Sequence, residues 1–311
     1  MSSIKRTVLF AHLQDIGVPH HLGPAIASVT AATTEALVIV LVSQLFHAAE
    51  STSNHVQQWD HVQRLLTYVY VKATKTAQDL GKDPSESFPN NFGNGMDMCF
   101  RIQGDPPVAH LPDSIETLPQ VFVVPDKAIE AHVQHSVCTT PSCDTSPSSY
   151  PVVVLGGTFD HLHAGHKILL SMAAWIASTK VIVGVTDDEL LRNKSNKNVL
   201  ESMAVRMERT RSFLQLFRPD LEYEIVPLRD VYGPTSWDPN IQALVVSMET
   251  LPGAASIDNK RSVESLPPLR TFVIDVISSE SEKLVHEDME MLKQTKLSST
   301  FIRDWIVKNA V

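Results

Sequence analysis

The chain has 311 residues, of which 43% are hydrophobic and 20% are charged, and this composition excludes collagen, a coiled coil and a wholly disordered chain. Its length suits about two domains of ordinary size. The formal net charge of −9 provides no overall field that would gather nucleic acid. Three cysteines are too few for a secreted disulfide framework, and no apolar run is long enough to span a bilayer. We expect a cytoplasmic protein that binds neither nucleic acid nor a membrane.

Residues 136–150 read SVCTTPSCDTSPSSY, a composition rich in Ser, Thr and Pro that has no hydrophobic period. Such a composition is typical of a linker. We therefore expect an N-terminal domain over 1–135 and a second domain over 151–311. No internal repeat is recognisable in the sequence.

The N-terminal domain is predicted to be α/β, and no catalytic constellation is found in it. Apolar runs predict strands, and a stripe of apolar residues at helical spacing predicts one long helix. Residues 81–95, rich in Gly, Pro, Ser and Asn, predict a surface loop. The predicted strands cover 7–13, 37–42 and 121–124, and the predicted helix covers 55–80. We interpret this domain as a scaffold or regulatory part.

The second domain alternates apolar strands with helices. This alternation predicts a doubly wound parallel sheet, a Rossmann-like α/β fold in which ligands bind beyond the carboxyl ends of the strands. The strands are predicted over 152–155, 180–185, 222–226, 243–246 and 271–277, and the helices over 164–177, 200–217 and 299–307.

The strongest chemical signal is the segment GGTFDHLHAGH at 156–166, which joins the first of these strands to the first helix. Glycines allow a ligand to approach the backbone closely, and the start of a helix presents unpaired N–H groups that suit phosphate. His163 and His166 lie three residues apart on one face of the first turn. Both imidazoles can therefore donate to phosphate oxygens as negative charge builds in a transition state.

Two other interpretations of this segment stay open. The glycines can form a plain turn, with the histidines as helix caps. Alternatively, Asp160, His161, His163 and His166 can bind a metal ion, which would require the purified protein to retain stoichiometric zinc. Four polar residues of one turn rarely converge on an ion, so we expect no metal site.

A second signal is the segment KLSSTFIR at 296–303. Hydroxyls at a helix start cap the helix and can also contact phosphate. Arg303, one turn further along, can donate two hydrogen bonds to an anion. Alone, this segment is equally typical of a plain N-cap, but beside the first segment on one sheet it indicates a phosphate site.

Together the two segments resemble the signatures of the HxGH nucleotidyltransferase superfamily. GTFD at 157–160, HAGH at 163–166 and LSSTFIR at 297–303 resemble in particular the phosphopantetheine adenylyltransferases of the eukaryotic, fungal-type single-function form. The resemblance covers nearly all of 151–311. It is supported by GVTDDELLR at 184–192, DVYGPT at 230–235, LVVSMET at 244–250 and NKR at 259–261.

The resemblance implies a reaction. The family joins 4′-phosphopantetheine to the AMP part of ATP, giving dephospho-coenzyme A and pyrophosphate in the penultimate step of coenzyme A synthesis. Mg²⁺ is expected as a counter-charge on the nucleotide. Other coenzyme A biosynthetic enzymes are candidate partners. Catalysis is expected to consist of positioning and charge stabilisation, with no covalent intermediate.

The resemblance also implies roles for individual residues. His166 stabilises charge on the α-phosphate, His163 assists near the triphosphate, and Thr158 holds the acceptor phosphate. A loop lysine neutralises the two reacting phosphates, and both Lys194 and Lys197 qualify, of which we favour Lys194. The remaining phosphate-binding positions are Gly156, Gly157, Phe159, Gly165, Ser298, Ser299, Thr300 and Arg303.

Two departures from the family pattern are visible. Bacterial members carry an arginine at the end of a central strand where this chain has Ser247. We predict that Arg261 or Lys260 supplies the missing cation. The segment 254–257, which we interpret as a loop, lacks the second glycine common in the family.

Three other functions agree with part of the sequence. An HxGH enzyme with a different phosphorylated acceptor is disfavoured by the DVYGPT and SMET segments. An aminoacyl-tRNA synthetase is disfavoured because the chain is short and acidic. A non-catalytic, nucleotide-binding scaffold is disfavoured because the paired histidines are intact.

Overall fold

The computed structural model describes residues 4–46, 54–82, 95–126, 147–274 and 298–309. These residues form two compact units, which meet in the sequence at residue 148. Several predictions lie outside the described residues. They concern most of the linker at 136–150, most of the loop at 81–95, the last three residues of the strand predicted at 271–277, and Lys296 and Leu297.

The first unit is a four-stranded parallel sheet with the order β2-β1-β3-β4. Its central strand is buried, since Val8, Leu9 and Ala11 have no exposed surface. The additional N-terminal α/β domain predicted from the sequence is confirmed. The elements in chain order are β1 (Ile4–His12), α1 (Gly23–Ala32), β2 (Thr33–Val42), α2 (Trp59–Asp79), β3 (Met98–Ile102), α3 (Asp113–Glu116) and β4 (Gln120–Val123).

The second unit is a five-stranded parallel sheet with the order β7-β6-β5-β8-β9. The strand order reverses at β5, and this doubly wound arrangement confirms the predicted Rossmann-like α/β fold. The elements in chain order are β5 (Tyr150–Gly157), α4 (Ala164–Ile176), β6 (Ala177–Thr186), α5 (Met203–Phe217), β7 (Glu222–Leu228), β8 (Ala243–Ser247), α6 (Leu251–Val263), β9 (Arg270–Ile274) and α7 (Ser299–Asn309).

The core of the second unit is built around β5. Val153, Val154 and Leu155 are at most 3% exposed, so this strand is covered on both faces, as parallel strands usually are. Val154 packs in one cluster with Ile182 of β6 and Ile257 of α6. Helix α4 packs against β5, β6 and β8. This packing fixes the carboxyl ends of β5 and β6 side by side, and the loops that follow them carry the predicted site.

Four elements, α1, α3, β3 and α6, were not predicted. Helix α1 consists mostly of small residues (GPAIASVTAA), so no clear apolar stripe marks it. Helix α3 has only four residues and strand β3 only five. Helix α6 contains Pro252 and Gly253 in its first turn, and both residues argue against a helix when the sequence is considered alone. Proline is nevertheless well suited to the first turn, where its missing N–H needs no partner. The interpretation of 254–257 as a loop was wrong, since these residues are helical.

None of the helices in the described ranges is both long enough and apolar enough to cross a membrane.

Candidate active site

The two predicted phosphate-binding segments meet at the carboxyl edge of the second sheet. The loop 158–163, which follows β5 and leads into α4, contacts the first turns of α7. Ser299 Oγ donates to the backbone carbonyl of Asp160 over 2.8 Å, and Arg303 Nη1 lies 2.5 Å from Asp160 Oδ2. Residues separated by more than 130 positions in the sequence are thereby joined at one edge of the sheet.

The ion pair between Asp160 and Arg303 is buried, with exposed fractions of 0% and 2%. Arg303 Nε also donates to the carbonyl of Ser195 over 3.0 Å, and its Nη2 donates to Thr300 Oγ1 over 3.2 Å. A buried ion pair needs such additional hydrogen bonds, because desolvation of the two charges is costly. The guanidinium is therefore committed to the protein. A direct contact of Arg303 with phosphate, as the sequence predicts, is not supported, and we assign it an anchoring role for α7.

The loop 158–163 has a strained backbone. Phe159 and His161 have φ angles of +50° and +45°, in the left-handed region that residues other than glycine rarely adopt. Glu201 holds this conformation by a reciprocal pair of hydrogen bonds. Its Oε2 accepts from the N–H of His161, and its own N–H donates to Asp160 Oδ1, both over 2.9 Å. Glu201 is not identifiable from the sequence, because a single acidic residue before a helix has no distinguishing signal.

Arg206 of α5 supports the loop from inside the protein. It is completely buried, and its Nη1 donates to the carbonyls of Thr158 and Thr186 over 2.7 and 2.9 Å. Its Nε donates to the carbonyl of Glu201 over 3.1 Å. Arg206 thus joins the loops after β5 and β6 to the segment before α5. The sequence analysis missed this role as well, because nothing local distinguishes a buried arginine from an exposed one.

His163 and His166 form the centre of the site. Their rings stack with centroids 3.9 Å apart, and the ring of Phe159 lies 5.2 Å from His166. Both histidines are half-buried. Their Nδ1 atoms are buried and have no hydrogen-bond partner among the described residues. A neutral imidazole carries one proton, and because Nδ1 has no acceptor we place that proton on Nε2 of each ring.

Burial keeps both imidazoles neutral at pH 7. It lowers the pKa of His166 from its ordinary value of 6.5 to about 4. Burial also lowers the pKa of His163 well below 6.5, and the nearby His166, Lys167 and His161 lower it further. The pair is therefore a set of neutral hydrogen-bond donors in the free protein.

The glycines at the end of β5 contact side chains of this chain. A Cβ atom on Gly156 would lie 3.1 Å from Leu228 Cδ1, and one on Gly157 would lie 3.1 Å from Phe159 Cζ. Phe159, one of the predicted binding positions, has a completely buried side chain that packs against His166. Thr158 and Gly165 are half-buried and remain accessible.

The start of α7 presents hydroxyl groups. Ser298 Oγ accepts from the N–H of Phe301 over 3.2 Å and caps the helix. Ser298 and Thr300 are exposed, and Ser299 is half-buried against the loop 158–163. The predicted combination of hydroxyls and a helix N-terminus is therefore present.

Helix α7 also holds the loop that carries the two candidate lysines. Asn196, at a φ angle of +51°, donates through Nδ2 to Asp304 Oδ1 over 2.5 Å. Ser195 accepts from Arg303, as described above. Lys194 and Lys197 flank these two anchored residues, and both are exposed. In the described part of the chain, neither lysine Nζ forms a hydrogen bond or an ion pair, so both remain available for an anion.

The alternative metal site is disfavoured by the partners of its proposed ligands. Asp160 is paired with Arg303, and His161 Nε2 lies 2.8 Å from the carbonyl of Val199. Across the residues that the structure describes, no group of three or more His, Cys, Asp or Glu side chains is arranged to hold a metal ion.

Arg261 and Lys260, the two residues predicted to supply the missing cation, are both engaged by groups of the protein. Arg261 is 1% exposed and donates to the carbonyls of Thr235 and Pro267 over 2.6 and 2.7 Å. Lys260 Nζ pairs with Glu264 over 2.7 Å. The guanidinium of Arg261 is thus used to join α6 to the neighbouring loops, and we assign it a structural role.

We expect Asp160→Asn to lower the free energy of unfolding by about 3 kcal/mol, because it leaves the charge of Arg303 buried and unbalanced. Urea denaturation measures the loss. Asp220→Asn is a matched control: Asp220 pairs with Arg218 over 2.6 Å but is 61% exposed, so its loss should stay below about 1 kcal/mol. Equal losses in the two variants would contradict the anchoring role.

We expect His166 to stay neutral down to about pH 5 in the free protein, as an NMR titration of its ring resonances would show. Its folded-state pKa of about 4 lies below the unfolded value of 6.5, so the folded state binds fewer protons between these values. Stability should therefore fall as the pH falls from about 6.5 to about 4, and His166→Phe should reduce that loss. Titration of His166 near pH 6.5 would contradict this description.

Comparisons with known proteins agree with the geometry. Residues 154–304 match the family model described as cytidylyltransferase-like. A phosphopantetheine adenylyltransferase of Saccharomyces cerevisiae is 43% identical over 163 residues, which are 52% of this chain and 51% of that protein. The match therefore spans about half the length of the yeast relative.

Two archaeal relatives are matched over most of their length. The phosphopantetheine adenylyltransferase of Pyrobaculum aerophilum is 37% identical over 125 residues, 40% of this chain and 79% of that protein. The one from Methanopyrus kandleri is 42% identical over 125 residues, 40% of this chain and 78% of that protein. With this identity over more than two thirds of the archaeal proteins, the chain belongs to the phosphopantetheine adenylyltransferase family.

Proposed function

We propose that this protein transfers the adenylyl group of ATP to 4′-phosphopantetheine, forming dephospho-coenzyme A and pyrophosphate in the penultimate step of coenzyme A synthesis. The observation that carries the proposal is the contact of the loop 158–163 with α7 through Asp160, Ser299 and Arg303. This contact brings two helix N-termini and two imidazoles to one edge of the sheet. Membership of the family supports the identity of the substrates.

The reaction requires the alignment of two anions. A phosphate oxygen of the acceptor attacks the α-phosphorus of ATP and forms the new P–O bond. The bond from that phosphorus to the oxygen that bridges the α- and β-phosphates breaks, and pyrophosphate leaves with the electron pair. No group of the protein becomes covalently bound, so the protein acts by positioning and by charge stabilisation.

His166 and His163 stabilise the α-phosphate as neutral donors. With the proton on Nε2, each ring can donate to a phosphate oxygen without first being protonated. Negative charge of the bound nucleotide raises the pKa of His166 from about 4, because a nearby anion favours the imidazolium. The donor is thereby strengthened as charge develops on the α-phosphate.

Other groups bind the remaining phosphates. Ser298, Thr300 and the first turn of α7 bind the β- and γ-phosphates, and Arg303 holds α7 in position without contacting them. Thr158 binds the acceptor phosphate at the start of the loop. Lys194 or Lys197 neutralises the two reacting phosphates from the loop that α7 anchors.

Mg²⁺ enters with ATP in this proposal and supplies counter-charge to its phosphates. The described side chains provide no group of three acidic, histidine or cysteine ligands that would hold the ion by themselves. Oxygen atoms of phosphate suit this ion well. Binding of other coenzyme A biosynthetic enzymes and a cytoplasmic location stay predictions.

We expect the purified protein to release pyrophosphate from ATP, Mg²⁺ and 4′-phosphopantetheine, and His166→Ala to lower kcat by about 100-fold or more. The KM for ATP should change little, because the β- and γ-phosphates are held elsewhere. Release with a different phosphorylated acceptor only would indicate another HxGH enzyme. Binding of ATP without release would indicate a non-catalytic scaffold.

Separate Lys194→Ala and Lys197→Ala variants identify the acting lysine. We expect Lys194→Ala to lower kcat by about tenfold or more, because a cation between the two phosphates is lost, and Lys197→Ala to have the smaller effect. Lys180→Ala is the control, since Lys180 pairs with Glu222 and Glu224 near the amino end of β6. Unchanged turnover in both loop variants would show that neither lysine acts.

A further inference from the structure

The two sheets share one plan. In each unit the first strand is central, the first helix leads directly into the second strand, and that strand pairs in parallel with the first. The order β2-β1-β3-β4 corresponds to β6-β5-β8-β9. The described residues of the first unit contain no counterpart of β7. A shared strand order is common among doubly wound sheets. The strand register and the hydrogen bonds between strands therefore have to show whether the two units are more similar than this general architecture requires.

The strand register repeats an irregularity. In each unit the register between the first and second strands shifts once. From one residue pair to the next, the first strand advances by two residues and the second strand by three. The pairing with the third strand then begins three residues beyond the first pair in both units. Before the shift, the pairs are Ile4–Thr33 in the first unit and Tyr150–Ala177 in the second; after it, they are Arg6–Ala36 and Val152–Lys180. The first pairs with the third strand are Thr7–Met98 and Val153–Ala243.

A pair of hydrogen bonds repeats at the same register position. The N–H of Arg6 donates to Asp97 Oδ2 over 2.9 Å, and the N–H of Asp97 donates back to the carbonyl of Arg6 over 2.8 Å. In the second unit, the N–H of Val152 donates to Gln242 Oε1 over 3.2 Å, and the N–H of Gln242 donates back to the carbonyl of Val152 over 3.1 Å. The general architecture of parallel sheets does not require this reciprocal contact.

The helix that follows the first strand begins with related residues. The second unit has His163-Ala-Gly-His166 and the first unit has His21-Leu-Gly-Pro24, displaced by one residue relative to the N-cap, which is His163 in α4 and Leu22 in α1. A His-x-Gly sequence therefore occurs near both helix starts, followed by histidine in the second unit and by proline in the first. Proline has no side-chain donor and no backbone N–H, so the position that holds His166 has no counterpart in function.

The corresponding edge of the first unit is covered by its own side chains. By register, Phe10, 3% exposed, takes the place of Gly156. A Cβ atom on Gly23 would lie 2.6 Å from the hydroxyl of Tyr68 of α2, so this helix start is covered. The N–H groups of Leu22 and Gly23 are also engaged, donating to backbone carbonyls of the preceding 3₁₀ turn. These groups are therefore not available to phosphate.

We propose that the first unit is a second, catalytically silent copy of the nucleotidyltransferase core, so that the chain has one nucleotide site rather than two. The likeness of the copies depends on topology, register and hydrogen bonds alone. The location of the single site, in the second unit, rests on the proposed function. This interpretation accounts for an α/β domain of ordinary architecture that contains no catalytic constellation.

Equilibrium dialysis of the full chain with Mg²⁺ and a non-hydrolysable ATP analogue tests the number of sites without any substitution. We expect one equivalent bound per chain at saturation. Two equivalents would overturn the proposal. One bound equivalent without pyrophosphate release from ATP and 4′-phosphopantetheine would contradict the proposed function and still support a single site.

The histidines near the two helix starts provide a pair of variants. We expect His163→Ala to lower kcat by about tenfold or more, and His21→Ala to change kcat and analogue binding by less than about twofold. A loss of turnover or of bound analogue in His21→Ala as large as that in His163→Ala would overturn the proposal. Circular dichroism of both variants separates such a loss from a failure to fold.

Discussion

The ion pair between Asp160 and Arg303 is the interaction on which the arrangement of the site depends. Both groups are almost completely buried, where an unbalanced charge is costly. The pair is therefore tolerated only when α7 lies against the loop 158–163. Ser299 and Thr300 belong to α7, and α7 also holds the lysine loop. A single electrostatic requirement therefore positions the proposed phosphate-binding groups of three separate segments.

The loop itself is stabilised from the protein side. Its strained residues are held by Glu201, and its first carbonyl is held by the buried Arg206. Neither residue lies where a ligand is proposed to bind. Strain of this kind persists only where several independent contacts hold the backbone in the same conformation. The consequence is that His163 and His166 are presented by a rigid backbone, with their neutral state already set by burial.

The two units have similar sheets but different side chains at the carboxyl edge. Two units with the same strand order and the same register irregularity differ in what fills the carboxyl edge of the sheet. In the second unit, His163 and His166 lie half-buried at the start of α4. In the first unit, Phe10 is buried and Tyr68 covers the start of α1. The same strand order therefore accommodates different side chains at this edge of the sheet.

The sequence by itself determined the parallel α/β fold of the second unit and the two segments of the candidate site, which the structure brings into contact. Buried parallel strands require continuous apolar runs, and helix starts require recognisable capping residues, so both are local signals. Only the tertiary structure decided which polar groups are free. Arg303 and Arg261 were predicted to bind phosphate, but each is buried and donates to carbonyls or to a carboxylate of the protein. Helix α6, the roles of Glu201 and Arg206, and the likeness of the two units were also beyond the sequence. The physical reason is the same in each case: burial and hydrogen-bond partners depend on contacts between distant residues, which no local pattern records.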